Sequence, residues 1–237
     1  MKDVYISGFT DRISPEAPVP IVRVTKTEFK AGGAANVAVN LATLGLQVTL
    51  LSMVGDDKSA REIQQLLSSH NINCIFIKSP NLTTVQKHRI ISQHQQILRL
   101  DFESQNPKLN FQKKDYSELL KKFEKEAKSE TYSAAIFSDY KKGVLEHCKR
   151  LVKSAKKHKI PVFVDPKGDE FAIYEGANFL KPNIKEFENI VGMSTTKDEF
   201  NSKAKKLKKL LKIDNLLITK GSSGMTLFTE ENMPIDI

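Results

Sequence analysis

The chain has 237 residues, 40% of them hydrophobic and 27% charged, which suits one globular domain with a sizeable core and leaves no apolar run near the roughly 20 residues of a membrane helix. The formal charge is +9, but Arg12, Arg23, Arg61, Arg89, Arg99 and Arg150 are the only arginines, and many lysines lie on helical polar faces, as in Lys121-Lys122, Lys156-Lys157 and Lys205-Lys206. No aromatic residues interleave with these lysines to stack bases, so the pattern points to a solvated surface and away from a nucleic-acid partner. The N-terminus lacks the long apolar core of a signal peptide. Cys74 and Cys148 show no metal-ligand spacing, so no membrane partner and a reduced, cytoplasmic setting are expected.

Residues 1–11 carry little signal beyond Val4-Tyr5-Ile6, a short strand remnant. Residues 12–22, RISPEAPVPIV, hold Pro15, Pro18 and Pro20, which exclude a helix and a central strand and leave an extended edge ribbon running on to Val24. Ala31-Gly32-Gly33-Ala34-Ala35-Asn36 then opens a helix through Leu44, closed by Gly45, with Val37, Leu41 and Leu44 as its apolar face. Two glycines let backbone approach a ligand, and the helix start offers free N–H groups. A plain glycine turn fits the same letters. There is no Gly-x-Gly-x-x-Gly and no Walker loop, which argues against a dinucleotide fold and a P-loop NTPase.

Residues 48–54 predict a buried strand. Gly55-Asp56-Asp57 follows, then a helix with Ile63, Leu66 and Leu67 inward, and a further strand over 72–77. Residues 83–91 and 97–101 partly alternate and read as a half-exposed antiparallel pair. Residues 116–129 form a Lys/Glu-rich amphipathic helix with Leu119, Leu120 and Phe123 buried. Residues 134–137 are a strand ending in Ser138-Asp139-Tyr140-Lys141-Lys142-Gly143, followed by a helix carrying Leu145, Cys148, Leu151, Val152 and Ala155.

Two more strand ends carry polar chemistry. Val162-Phe163-Val164 stops at Asp165-Pro166-Lys167-Gly168. Asn178-Phe179-Leu180 stops at Lys181-Pro182-Asn183, and a helix with Phe187, Ile190 and Val191 on one face follows. Asp165 also fits as a turn residue, and Asn183 with Glu186 as a capping pair. Ligands in open α/β sheets sit outside the carboxyl ends of the strands, so these ends make an anion-handling candidate. Thr196 with Glu199 predicts another helix start, with Phe200, Leu207 and Leu211 inward. A strand over 215–219 then turns at Lys220-Gly221-Ser222-Ser223-Gly224 into a strand over 225–228. Strands alternating with helical segments predict a mainly parallel sheet with helices on both faces.

VDPKG followed by KPNIKEFE resembles the ribokinase-like sugar kinases, whose Asn-x-x-Glu motif lies beside nucleotide phosphates and magnesium. Gly-Gly-x-x-Asn is similar to their sugar-binding motif, and Asp139 to Gly143 to their Asp-Tyr-x-Lys-Gly turn. RISPEAPVP and the stretch from Thr83-Thr84 through Lys87, Arg89, Gln95-Gln96 and Arg99 to Asp101 look most like the heptose 7-phosphate kinases of lipopolysaccharide core synthesis. The resemblance runs from about residue 8 to about residue 228. It implies a single ribokinase-like α/β domain with a small β lid, in segments about 12–30 and 82–103, that covers the sugar and pairs two subunits as a homodimer.

The resemblance further implies ATP-dependent phosphorylation of the sugar at its anomeric hydroxyl, giving the 1,7-bisphosphate, with Mg2+ as cofactor. Substrate contacts fall on Gly32, Gly33, Asn36, Arg89, Asp139 and Lys142. Nucleotide contacts fall on Asp165, Lys167, Asn183, Glu186, Thr219, Lys220 and Gly221, and Glu186 meets the metal through water. Arg12, Lys87, Arg89 and Lys142 are expected around the sugar and favour a phosphorylated one. Two parts of the family pattern are missing from the sequence as read. One is the first strand with its Gly-Asp pair and sugar-binding Asp. The other is the Gly-Ala-Gly-Asp motif that supplies the anion hole and general base, so the 237 residues alone are expected to be poorly active. The competing reading is a silent binding or dimerisation module; an oxidoreductase lacks its glycine fingerprint.

Overall fold

The computed structural model describes residues 1–103, 111–129, 131–229 and 233–237. It divides into two compact units, Met1–Asp115 and Tyr116–Ile237.

In the first unit, β1 (Lys2–Ile13) and β2 (Pro20–Ala31) form a long antiparallel hairpin. The strand remnant expected at residues 4–6 is therefore the start of a 12-residue strand. Alternation is hard to see there because Asp3, Tyr5 and Ser7 mix polar and aromatic groups on one side of the pleat. Of the three prolines, Pro15 and Pro18 fall in the turn, and Pro20 opens β2 opposite Ile13. β2 is an edge strand, where missing N–H donors cost no ladder bond. β5 (Gln86–Ser92) runs parallel to β1, and β6 (Gln95–Phe102) closes the sheet antiparallel to β5, giving the order β2-β1-β5-β6. Gln93 and His94 take positive φ at the β5–β6 turn.

α1 (Ala34–Thr43), β3 (Thr49–Gly55), α2 (Lys58–Ser68) and β4 (Asn73–Ser79) complete this unit, β3 and β4 pairing in parallel. Their core joins Ala31, Ala35, Ala38, Ile63, Leu67 and Ile72, with Val39, Ala42 and Leu66 against it. The expected apolar face of α1 is corrected: Ala35 and Ala38 turn inward, and Leu44 is 78% exposed. The helix is apolar on nearly every side, and small side chains win the inner face because they allow the closest packing. Asp57 caps α2, accepting from the Ala60 N–H at 2.8 Å, and its other oxygen accepts from the Thr84 N–H at 2.8 Å. Gly-Asp-Asp is thus a strand-to-helix connection tied to the segment before β5.

The second unit contains most of α3 (Lys113–Ala127), then β7 (Ala135–Ser138), α4 (Cys148–Lys157), β8 (Val162–Asp165), a 3-10 turn at Phe171–Tyr174, β9 (Phe179–Leu180), α5 (Ile184–Val191), α6 (Lys197–Leu211), β10 (Asn215–Thr219), β11 (Met225–Phe228) and β12 (Ile235–Asp236). They make one sheet in the order β12-β11-β10-β9-β8-β7. β7 to β10 are parallel, and β11 and β12 return antiparallel. Val162, Val164, Leu180, Leu216 and Ile218 are buried on one face, as near-continuous apolar strands should be. On the other face Ile136, Phe163 and Phe179 stand in register across three strands, the first two exposed. α4 starts at Cys148, later than the apolar pattern suggests, so Leu145 lies in the preceding turn. Among the described residues no helix is long and apolar enough to cross a membrane.

Candidate functional site

The second unit gathers the predicted nucleotide residues on consecutive carboxyl ends of parallel strands. β8 ends at Asp165, whose carboxylate meets the Lys181 ammonium at 2.7 Å. Two residues on, the Lys167 Nζ donates to Glu186 Oε1 at 2.9 Å. Glu186 is 9% exposed, and its other oxygen accepts from the Asn183 N–H at 3.0 Å, while Asn183 Oδ1 accepts from the Glu186 N–H at 2.9 Å. The capping reading of Asn183 and Glu186 is therefore real, and it holds the Glu186 carboxylate in one orientation. The hydrogen bond and charge of Glu186 hold the Lys167 ammonium above the usual lysine range, so it stays cationic at neutral pH. β10 joins this group through the Thr219 N–H, which donates to Pro182 O at 3.0 Å. Lys220 and Gly221 follow in the turn, and Lys220 Nζ lies 3.5 Å from Asp236.

β7 contributes Asp139 beside the same set. Its N–H donates to Asp165 O at 2.9 Å. Its carboxylate accepts from the Lys141 N–H at 2.7 Å and from the Tyr174 hydroxyl at 2.6 Å. Asp139 and Lys142, expected on the sugar, thus belong to the unit that carries the nucleotide set, and both Asp139 oxygens are already engaged there.

The chemistry of these donors suits a cation that arrives with phosphates. Among the described residues no three His, Cys, Asp or Glu side chains gather to cage a metal. Mg2+ is ordinarily held by one or two carboxylates, water and substrate phosphates, and Glu186, fixed at a helix start with Lys167 beside it, fits that arrangement.

The first unit holds the other predicted sugar residues, Gly32, Gly33, Asn36 and Arg89. Gly33 precedes α1 at φ 58°, no side chain caps the helix, and the Asn36 N–H donates to Gly33 O at 2.9 Å. A Cβ on Gly32 would lie 2.8 Å from the Asp3 carboxyl carbon. A side chain at that position would crowd the Asp3 carboxylate. Arg89, in register with Tyr5, lies 3.2 Å from Asp3 Oδ1, and its guanidinium stands 5.3 Å from the Tyr5 ring centre. Asp3 Oδ1 and Arg89 Nη1 are buried and face each other as an ion pair without an aligned hydrogen bond. Asn36 is exposed on the first turn of α1.

The first strand, expected to be missing, is present as β1, and it carries Asp3, an acid that the sequence pattern did not single out. Its signal was faint, a lone acid at the second residue of a strand; its meaning comes from Gly32, which only the fold brings beside it. Of the expected phosphate-binding cations in this unit, Arg89 pairs with Asp3, and Lys87 with Asp101 at 2.8 Å.

The second unit thus sets charged groups at successive strand ends, and the first unit sets a glycine-opened helix start beside the Asp3 carboxylate. The family model for pfkB carbohydrate kinases matches residues 2–236, and the chain belongs to that family. It is 44% identical over 237 residues to the Bifunctional protein HldE of Histophilus somni, covering 100% of this chain and 48% of that protein. The HldE of Marinomonas sp. is 43% identical, with 100% and 49% covered. The chain thus spans about half the length of these relatives. Among solved structures, phosphofructokinase-2 from Escherichia coli in complex with fructose-6-phosphate superposes with a TM-score of 0.74 at 21% identity, over 100% of this chain and 76% of that one. Arabidopsis thaliana ribokinase complexed with ribose and ATP gives 0.69 at 18% identity, over 100% and 74%. These structures establish the ribokinase-like α/β fold.

Proposed function

We propose that the chain is the sugar-kinase part of an enzyme that transfers the γ-phosphate of ATP to the anomeric hydroxyl of a heptose 7-phosphate. The observation that carries this is the run of Asp165, Lys167, Asn183, Glu186, Thr219 and Lys220 along adjacent parallel strand ends. The identity to HldE over the whole chain supports the substrate class. Asp3, Gly32, Gly33 and Asn36 would accept and donate hydrogen bonds to sugar hydroxyls, with Arg89 holding Asp3 in place. Lys167 would meet the nucleotide phosphates. Glu186 and Asn183 would hold Mg2+ through water beside those phosphates, where the ion neutralises charge. We further propose a cytoplasmic homodimer built on the β1–β2–β5–β6 sheet, whose Phe9, Val24, Leu98 and Phe102 are exposed.

A second reading, a binding module with little turnover, is favoured by one observation. The candidate bases Asp139, Asp165 and Asp236 each already accept from a hydroxyl or a lysine. Loss of a general base costs ~10²–10⁴-fold. The test is ADP release with Mg-ATP and heptose 7-phosphate, fructose 6-phosphate or ribose, on the 237-residue chain and on a form extended at its C-terminus. The kinase reading expects turnover in the extended form, highest with heptose 7-phosphate. Comparable turnover by both forms would overturn the placement of the base, and equal rates with all three sugars would overturn the substrate.

A further inference from the structure

Tyr174 has no role in the sugar or nucleotide sets above, yet it sits where the strand-end turns meet. Its side chain is fully buried, on the last residue of the 3-10 turn Phe171–Tyr174. The hydroxyl donates to Asp139 Oδ2 at 2.6 Å, in the turn after β7. The same oxygen accepts from the Lys167 N–H at 3.4 Å, in the turn after β8. Lys167 carries the connection on to Glu186 and the start of α5. A buried phenol needs a partner for its O–H, and this one spends it on a carboxylate, which makes a short, charge-assisted bond. Burial, reinforced by the charge of Asp139, pushes the phenol well above its ordinary range, so it remains a donor at any physiological pH.

Other contacts tie the same two turns together. The Asp139 N–H donates to Asp165 O, and Lys141 Nζ meets Asp169 at 2.9 Å. Lys141 itself takes φ 54°, an unfavourable conformation for a side-chain-bearing residue, held by its N–H bond to Asp139. Asp139 therefore orders the β7 turn only while its own carboxylate is held, and the group holding it from the core side is Tyr174.

We infer that Tyr174 is a positioning residue for the nucleotide site, its hydroxyl locking the Asp139 turn to the Lys167 turn so that Lys167 is presented to phosphate in one geometry. The functional half of this rests on the ATP reading above. In Tyr174→Phe the ring that fills the core stays and only the hydroxyl goes. Mg-ATP affinity, measured by calorimetry, is expected to weaken about tenfold, the usual effect of losing one hydrogen bond to a charged group. Sugar-phosphate affinity should stay within about twofold. Asp139→Asn, which approaches the same bond from the other side, should weaken Mg-ATP similarly, and the double variant should be no worse than the weaker single one. Amide exchange gives a readout independent of nucleotide, with faster exchange expected at the Lys141 and Lys167 N–H groups in Tyr174→Phe. Unchanged Mg-ATP affinity in Tyr174→Phe, or effects that multiply in the double variant, would overturn the inference. If the parent chain binds no Mg-ATP, the ATP reading fails, and exchange alone decides the positioning: faster exchange at both amides supports it, and unchanged exchange overturns it.

Discussion

The two units solve the problem of holding polar groups in different ways. In the second unit the candidate side chains sit at the ends of strands, or at the start of the helix that follows one, and the inward residues of those strands are almost fully buried, among them Val162, Leu180 and Leu216. Each polar group there inherits its position from a rigid strand and is then fixed by a neighbour: Lys181 on Asp165, Lys167 on Glu186, Tyr174 on Asp139. In the first unit the candidate site is made by removal. Gly32 lacks the side chain that would collide with Asp3, and Gly33 leaves the start of α1 uncapped. The sheet that carries Asp3 and Arg89 is thinly covered: every residue of β6 is exposed. A nucleotide platform needs fixed cations and carboxylates, whereas a sugar pocket needs close backbone and one well-placed acceptor.

The largest test of that contrast is in the cores. Phe187 is fully buried in the second unit, its ring 5.3 Å from Phe200, so Phe187→Ala is expected to cost about 3–5 kcal/mol, read as a fall in the urea midpoint. Leu98→Ser on β6, where the residue is 49% exposed, should change stability by no more than about 0.5 kcal/mol. It should nonetheless shift sedimentation toward monomer if that sheet pairs two copies. Equal losses of stability from the two substitutions would break the comparison.

A smaller effect tests the second unit's surface. Glu175 accepts from Lys149 and Lys212, and these two bonds lower its carboxyl to about 2. A carboxyl lowered on folding adds stability above its unfolded value, near 4.3, and that share is lost as pH falls toward 2. The gap in Tm between the parent and Glu175→Gln should therefore be present at pH 6 and close between pH 4.5 and pH 2. The size should be modest because the pair is exposed to solvent and salt. A gap that widened on acidification would contradict the assignment.

Much of this was legible in the sequence where local pattern decides. Short apolar runs stopping at Asp165, Lys181 and Lys220 gave the strand ends, and Asn183 with Glu186 gave a helix start that the structure closes on both sides. What failed needed contacts distant along the chain. The inner face of α1 was misassigned because Val37, Leu41 and Leu44 are larger than the alanines that pack. β1 is hard to read in sequence because Asp3, Tyr5 and Ser7 mix polar and aromatic groups along one side of a strand paired on both edges. Asp3 acquires meaning only beside Gly32, 29 residues on, and Tyr174 only beside Asp139, 35 residues back. No periodicity records such pairings.

The most direct test of the central claim, that sugar and nucleotide are held by different units, is amide chemical-shift mapping of the chain with Mg-ATP and, separately, with heptose 7-phosphate. Mg-ATP should move the amides of residues 139–143, 165–168, 183–186 and 219–224, and the sugar phosphate those of Asp3, Gly32, Gly33 and Asn36. Asp3→Asn should weaken the sugar response on the order of tenfold, as expected for a lost charged hydrogen bond, and leave the Mg-ATP response intact. Mg-ATP shifts centred on Asp3 and Gly32, or a sugar response untouched by Asp3→Asn, would contradict the account.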